Sequence, residues 1–213
     1  MKLVEVILKS NRKFENKDAE KLRGYMGNYF REIIEFHNHL DEISFNYDFS
    51  YIQYRVINGQ LVIIGIDKGG DILLENIQDI CEVKIKDDIV KVTPEIKITF
   101  PELKITKEFH KYKFETLWFA LNEKNYKRYI KGELSLNNQL INNIIEFFKM
   151  CNIWADKKII VTGEFREEKM YKKDIEVLGF GGEFSTNVLL LDGISLGKRK
   201  SIGLGRIKKI DEI

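Results

Sequence analysis

The sequence predicts an α+β fold of two tandem βαββαβ units, the second carrying a glycine-rich loop near its C-terminal end. Three observations predict it. Short apolar runs of strand length alternate with helical stretches in the same order in each half. The only two prolines, Pro94 and Pro101, fall in one short interval between the halves. Seven of the fifteen glycines lie between Gly179 and Gly205, so the second half owns a loop edge that the first lacks.

The elements follow in order. Residues 2–9 form a strand through Leu3, Val4, Val6, Ile7 and Leu8. Residues 18–36 form a helix, because Leu22, Met26, Tyr29, Ile33 and Phe36 recur at three- and four-residue steps. Gly24 and Gly27 weaken that helix by about 1 kcal/mol each relative to alanine. Residues 51–57 and 61–66 flank Asn58-Gly59, the strongest short hairpin signal, since both turn positions tolerate positive φ. Residues 70–80 are weakly helical, and 82–92 alternate like a strand.

After the prolines the pattern resumes. A strand covers 111–120, and a helical region covers 123–151 with an interruption near Gly132. Residues 158–165 form a strand, 173–191 hold one or two strands, and 206–210 form a last short one. The charged stretch from Arg166 to Lys173 is a hairpin tip. This is the split-βαβ, ferredoxin-like (RRM-like) plan, made twice. The domains are residues 1–93, a linker and first-strand region over 94–110, and residues 111–213. The plan alone hosts many functions.

Composition bounds the rest. With 44% hydrophobic and 32% charged residues, the chain suits a globular protein with a core. The net charge of +2 proves no polyanionic partner. Its distribution is more telling, because residues 194–213 carry six cations against Asp211 and Glu212. A local excess of that kind steers a polyanion. Cys81 and Cys151 have no zinc-type spacing and are too few for a disulfide framework. No run approaches ~18 uninterrupted apolar residues, so no membrane span is expected. Glu5 and Lys9 break any signal-peptide core at the N-terminus, and a cytoplasmic location is expected.

Two features carry chemistry. The first is the run from Gly193 through Gly197-Lys198-Arg199-Lys200 to Gly203-Leu204-Gly205. Glycines let a loop press its amides on a ligand, and cations on it suit phosphate. It is neither a P-loop nor a dinucleotide fingerprint, since both spacings are wrong. A glycine-rich hairpin with a solvated tip is the equal alternative. The second is His37-Asn38-His39, where the first helix is expected to end. A helix C-terminus favours imidazolium by about 1 kcal/mol. Two imidazoles supply the base and the acid that metal-free RNA cleavage needs. Against this, histidines often cap helices, and residues two apart on a helix face opposite sides. Tyr47 and Tyr51 are available for support. Stacking of Tyr47, Tyr51 or Tyr54 on bases competes with core packing. His110 reads as a surface residue.

The loop has the form Gly-h-Gly-x5-Gly-h-Gly, with Ser195 where the first glycine is expected and Gly193 two residues before it. With the tandem ferredoxin-like halves, it resembles the CRISPR-associated endoribonucleases that cut precursor CRISPR RNA, members of the RAMP superfamily. Arg23-Gly24-Tyr25, His37-Asn38-His39 and Tyr51-Ile52-Gln53-Tyr54-Arg55 are similar to the branch found in subtype I-B systems. The resemblance implies His37 and His39 as acid and base, and Gly193, Gly197, Lys198, Arg199, Lys200, Gly203 and Gly205 as the RNA-binding loop. It implies 5′-hydroxyl and 2′,3′-cyclic or 3′-phosphate ends, with no metal and no cofactor. The implied partners are CRISPR repeat RNA and other Cas proteins of an effector complex. Some relatives form homodimers, although no heptad or apolar stripe here demands one. Two other classes stay open: a non-catalytic RNA-binding subunit of the same superfamily, and a binding module for a small phosphorylated ligand.

Overall fold

A computed structural model of the chain describes residues 1–37, 49–172 and 175–210. The chain divides into two units, Met1–Pro101 with Ser201–Gly203, and Glu102–Lys200 with the chain from Leu204.

In the first unit, β1 (Leu3–Lys9), β2 (Ile52–Ile57), β3 (Gln60–Ile66) and β6 (Thr93–Thr99) form one sheet in the order β2-β3-β1-β6. All pairs are antiparallel. Val4, Val6 and Leu8 alternate inward along β1 and are fully buried, as period-2 patterning requires. The β2–β3 turn has φ of 51° at Asn58 and 76° at Gly59, the pair of positive values expected of a two-residue hairpin. Helix α1 (Asp18–Tyr29) buries Ala19, Leu22 and Met26, and α2 (Lys68–Asn76) buries Leu73 against the same core.

Three expectations are corrected here. The helix expected over 18–36 stops at Tyr29, and Ile34–Phe36 form a separate 3-10 turn. Tertiary packing overrides the period: Phe36 enters the core and its ring stacks on Phe30, centroids 4.3 Å apart. The single strand expected over 82–92 is a hairpin of β4 (Glu82–Ile85) and β5 (Asp88–Lys91), turned at Lys86 with φ of 59°. The fourth strand of the sheet is therefore β6, so residues 94–99, expected within a linker, complete the first sheet instead. Pro94 lies opposite Leu8 on this edge strand, where a missing N–H is tolerated.

The second unit repeats the plan with β7 (Lys104–Phe114), β8 (Val161–Lys172), β9 (Ile175–Leu189) and β10 (Ile207–Ile210), ordered β10-β7-β9-β8. Strand β7 begins earlier than the expected 111–120, and its register shifts between Ile105 and His110. Helices α3 (Glu123–Ile130) and α4 (Leu136–Met150) are interrupted at Gly132, φ 71°, as expected. Asn122 and Ser135 cap them by accepting from Asn125 N and Asn138 N. Helix α4 buries Leu140, Ile144, Phe147 and Phe148.

With the β4–β5 hairpin set aside, both sheets read second-third-first-fourth in their own strand order. The fold is thus the tandem ferredoxin-like plan. The units differ after the third strand. The first inserts α2, whereas the second inserts residues 190–206, whose only helical piece is the 3-10 turn Lys200–Ile202. Among the described residues, no helix is long and apolar enough to cross a membrane.

Candidate functional site

In the first unit, the candidate chemistry gathers where the chain leaves the 3-10 turn. His37 follows that turn with φ −130° and ψ −20°, so it has left helical geometry. The objection from opposite helix faces does not apply to it. The argument from a long helix's dipole does not apply either, because α1 ends at Tyr29 and a three-residue turn carries little dipole.

The backbone around His37 is held from three directions. Tyr54 Oη, from β2, donates to Phe36 O at 2.9 Å. Arg23 Nη2, from α1, donates to His37 O at 2.6 Å. His37 N donates to Ile34 O at 3.1 Å. Two residues before His37, the largely buried Glu35 carboxylate pairs with Lys68 Nζ at 2.5 Å. Burial pushes the Tyr54 phenol pKa up, so this hydroxyl stays a donor across the ordinary pH range. Burial lowers the Arg23 pKa from its usual value, partly opposed by Tyr54 and Glu20.

The ring of His37 is half-buried. Its Nε2 lies 3.0 Å from Arg31 O. A carbonyl only accepts, so Nε2 is the donor of that contact. Gly27 of α1 sits directly behind, where an alanine Cβ would lie 2.8 Å from His37 Cβ.

The other expected residues divide. His39 and Tyr47 lie outside the described residues. Tyr51 is half-buried just before β2; its carbonyl accepts from Ile66 N at 2.9 Å, and its ring meets Phe49 edge-on at 6.1 Å. Tyr54 is 1% exposed, which removes it as a stacking platform and makes it a core anchor. His110 is half-buried on β7 with Nε2 3.0 Å from Thr106 Oγ1, and burial lowers its pKa.

In the second unit, the glycine-rich run folds back on its own unit. Positive φ occurs at Gly193, Gly197, Arg199 and Gly205. Gly197 lies against the indole of Trp118, where a Cβ would be 2.6 Å from Nε1. At Gly205 a Cβ would be 2.0 Å from Leu196 O, so only glycine fits there. Gly203, φ 79°, belongs to the short piece grouped with the first unit and lies against Tyr54 and Arg55.

Four of the amides in this run are occupied within the fold. The N–H groups of Gly193, Leu196, Lys198 and Gly205 donate to Ile207 O, Gly205 O, Phe119 O and Leu117 O. The loop also presents side chains. Lys198 and Arg199 are exposed, with the Arg199 guanidinium 5.8 Å from the Phe119 ring centre. Lys200 is mostly covered and paired with Glu146 of α4. Arg206 is likewise paired with Glu115 at 3.0 Å. The exposed cations of this region are Lys198, Arg199, Lys208 and Lys209.

Sequence reasoning missed Gly27, Glu35 and Lys68. Gly27 was visible as a helix-weakening glycine, but only a contact ten residues onward shows what it makes room for. Lys68 and Glu35 gave no local signal.

Comparison with known proteins adds the following. Residues 1–104 match the family model of the Cas6b N-terminal domain, and residues 104–210 that of the Cas6b C-terminal domain. A solved structure described as Cas6b is 29% identical, with a TM-score of 0.86 over 99% of this chain and 100% of the other. Another, described as the CRISPR RNA processing endoribonuclease Cas6b, is 25% identical with a TM-score of 0.73 over the same shares. An uncharacterized protein of Methanocaldococcus jannaschii is 30% identical over 146 residues, which is 65% of this chain and 99% of that protein.

Proposed function

The chain belongs to the Cas6b family, and from that premise we propose that it cuts CRISPR repeat RNA in precursor transcripts without a metal ion. The observation that carries the reading is His37, half-buried, held outside helical geometry and with its ring Nε2 3.0 Å from Arg31 O. The two histidines share the proton transfers. One imidazole removes the proton of the ribose 2′-hydroxyl, and the freed oxygen attacks the adjacent phosphorus. The other, as imidazolium, protonates the departing 5′-oxygen. The products are a 2′,3′-cyclic phosphate and a 5′-hydroxyl, and later hydrolysis of the ring gives the 3′-phosphate. Lys198 and Arg199, exposed on the glycine-rich run, are the cations that bind RNA phosphates, with Lys200 contributing less because Glu146 neutralises it.

The test uses repeat RNA in EDTA. Cleavage persists, stops when the ribose upstream of the scissile phosphate is 2′-deoxy, and falls by roughly 10²–10⁴ in His37→Ala or His39→Ala. Full activity in both variants would remove the site assignment. Binding without cutting by the intact chain would instead favour the non-catalytic RNA-binding subunit.

A further inference from the structure

We propose that Gly27 is a positioning residue for cleavage: it leaves a notch in α1 that sets where the His37 imidazole stands. The inference rests on the reading of His37 as one of the catalytic pair.

Helix α1 contains two glycines, and they differ in what surrounds them. Gly24 is exposed, and a Cβ added there would meet nothing within 4 Å. Gly27 is buried, and the three nearest atoms to a Cβ there all belong to His37: Cβ at 2.8 Å, Cα at 3.7 Å and Cγ at 3.7 Å. A separation of 2.8 Å between two carbons is well inside van der Waals contact, which is best near ~3.5–4.0 Å. Any side chain at 27 therefore pushes on the root of the imidazole, not on a flexible tip.

His37 cannot yield by a backbone slide at no cost. Its own carbonyl is held by Arg23 at 2.6 Å, and the preceding carbonyl by Tyr54 at 2.9 Å. Arg23 lies one turn before Gly27 on the same helix. The same face of α1 thus supplies both a donor that ties the His37 backbone down and the gap that receives its Cβ. A glycine within a helix costs up to about 1 kcal/mol relative to alanine, and at Gly27, in the last turn of α1, that cost coincides with a contact to a single residue. At Gly24 no contact accounts for it.

The consequence is a defect in chemistry without a defect in binding. Displacing a catalytic group by ~1 Å costs about 100-fold in rate, so Gly27→Ala lowers the single-turnover rate constant about 10- to 100-fold. Affinity for an uncleavable RNA, 2′-deoxy at the scissile position, stays within about two-fold, because the exposed phosphate-binding cations are elsewhere in the chain. Gly24→Ala cleaves at the wild-type rate.

The experiment measures single-turnover cleavage in EDTA and binding of the uncleavable RNA for wild type, Gly24→Ala, Gly27→Ala, Arg23→Met and His37→Ala. Histidine ring NMR spectra accompany them. The expected result is a rate loss confined to Gly27→Ala, Arg23→Met and His37→Ala, with a shifted His37 ring resonance in Gly27→Ala and an unshifted one in Gly24→Ala. Wild-type cleavage by Gly27→Ala, or an unshifted His37 resonance in it, overturns the proposal. If Gly27→Ala does not fold, Arg23→Met carries the test. It removes the tie without adding bulk inside the helix, and wild-type cleavage by it overturns the proposal. Wild-type cleavage by His37→Ala sinks the underlying site assignment instead, and the NMR shift then still decides whether Gly27 places that ring.

Discussion

The two halves of this chain use one sheet plan and differ in what they hang between strands. In the first half, the third strand leads into α2, and the specialised segment is the turn before His37. In the second half, the third strand leads into the glycine-rich run of residues 190–206. Each half fixes its segment with a buried tyrosine hydroxyl. Tyr54 donates to Phe36 O, beside His37. Tyr112 donates to Leu190 O at 3.1 Å and accepts from Leu190 N at 2.9 Å, where the glycine-rich run begins. The sheets thus act as rigid mounts, and each segment is tied to its own sheet through a buried tyrosine hydroxyl. The segment in the first half leads to the half-buried imidazole of His37. The one in the second half ends in exposed cations.

That division predicts that the halves separate kinetically. His37→Ala should cost about 10²–10⁴ in single-turnover rate while leaving RNA affinity nearly unchanged. The double variant Lys198→Ala, Arg199→Ala should do the reverse, losing affinity while the rate at saturating protein stays near wild type. Its salt dependence should flatten by about 1.4 in the slope of log K against log salt, given ~0.7 per phosphate contact on single strands. Lys200→Ala should change the slope less, since Glu146 already holds that ammonium. Equal effects of the two classes of variant on rate and affinity would break the division.

A second prediction concerns what supports the glycine-rich run. Trp118 is fully buried, its Nε1 donates to Asn143 Oδ1 at 3.0 Å, and Gly197 lies against its indole. Trp118→Ala should destabilise the second half by about 3–5 kcal/mol. Hydrogen exchange should show the loss in β7, β9 and the run around Gly197. Protection there at wild-type level would mean that the run is held by its backbone hydrogen bonds alone.

The fold was legible in the sequence wherever the signal is local. The alternation in β1, the Asn58-Gly59 turn and the break at Gly132 each follow from residues within one element. What escaped depends on partners distant in sequence. The stacking of Phe36 on Phe30 ends a helix whose period runs on without interruption. Lys86 turns a hairpin at positive φ without being glycine, and Asp87 beside it is the turn's one weak local signal. The candidate site divides the same way. Residue type and spacing pointed to His37 and to the Lys198–Lys200 cations. Lys200 meets Glu146 only after the chain folds, and Gly27 acquires its meaning only when His37 is brought back over α1.

A third prediction compares the tyrosine anchors. Tyr54→Phe and Tyr112→Phe should each cost about 1–3 kcal/mol, because a buried backbone group loses its partner. They also set the alkaline limit. Burial raises the Tyr112 pKa from 10.0 to about 12. The folded state therefore keeps a proton that the unfolded chain releases above pH 10. Stability should fall as pH rises from about 10 towards 12, and Tyr112→Phe should make that fall shallower. Only Tyr54→Phe should also slow cleavage, since its partner carbonyl is the one beside His37. Equal slowing by both variants would erase the distinction between the halves.

The smallest expected effect lies at Ser195. It stands where the glycine-rich pattern has its first glycine, is fully buried, and its Oγ makes no hydrogen bond among the described residues. Its backbone bridges to Arg206, so the side chain is not needed for the local pairing. A buried hydroxyl without a partner costs about 1–3 kcal/mol, a cost that alanine avoids with nearly the same volume. Ser195→Ala should therefore leave RNA affinity unchanged and raise thermal stability slightly, by about 1 kcal/mol or less once the small loss of packing is counted. A drop in stability would show that this hydroxyl has a partner in the folded chain. A drop in affinity at unchanged stability would show that it reaches the RNA, which would make the second half's binding surface larger than its exposed cations.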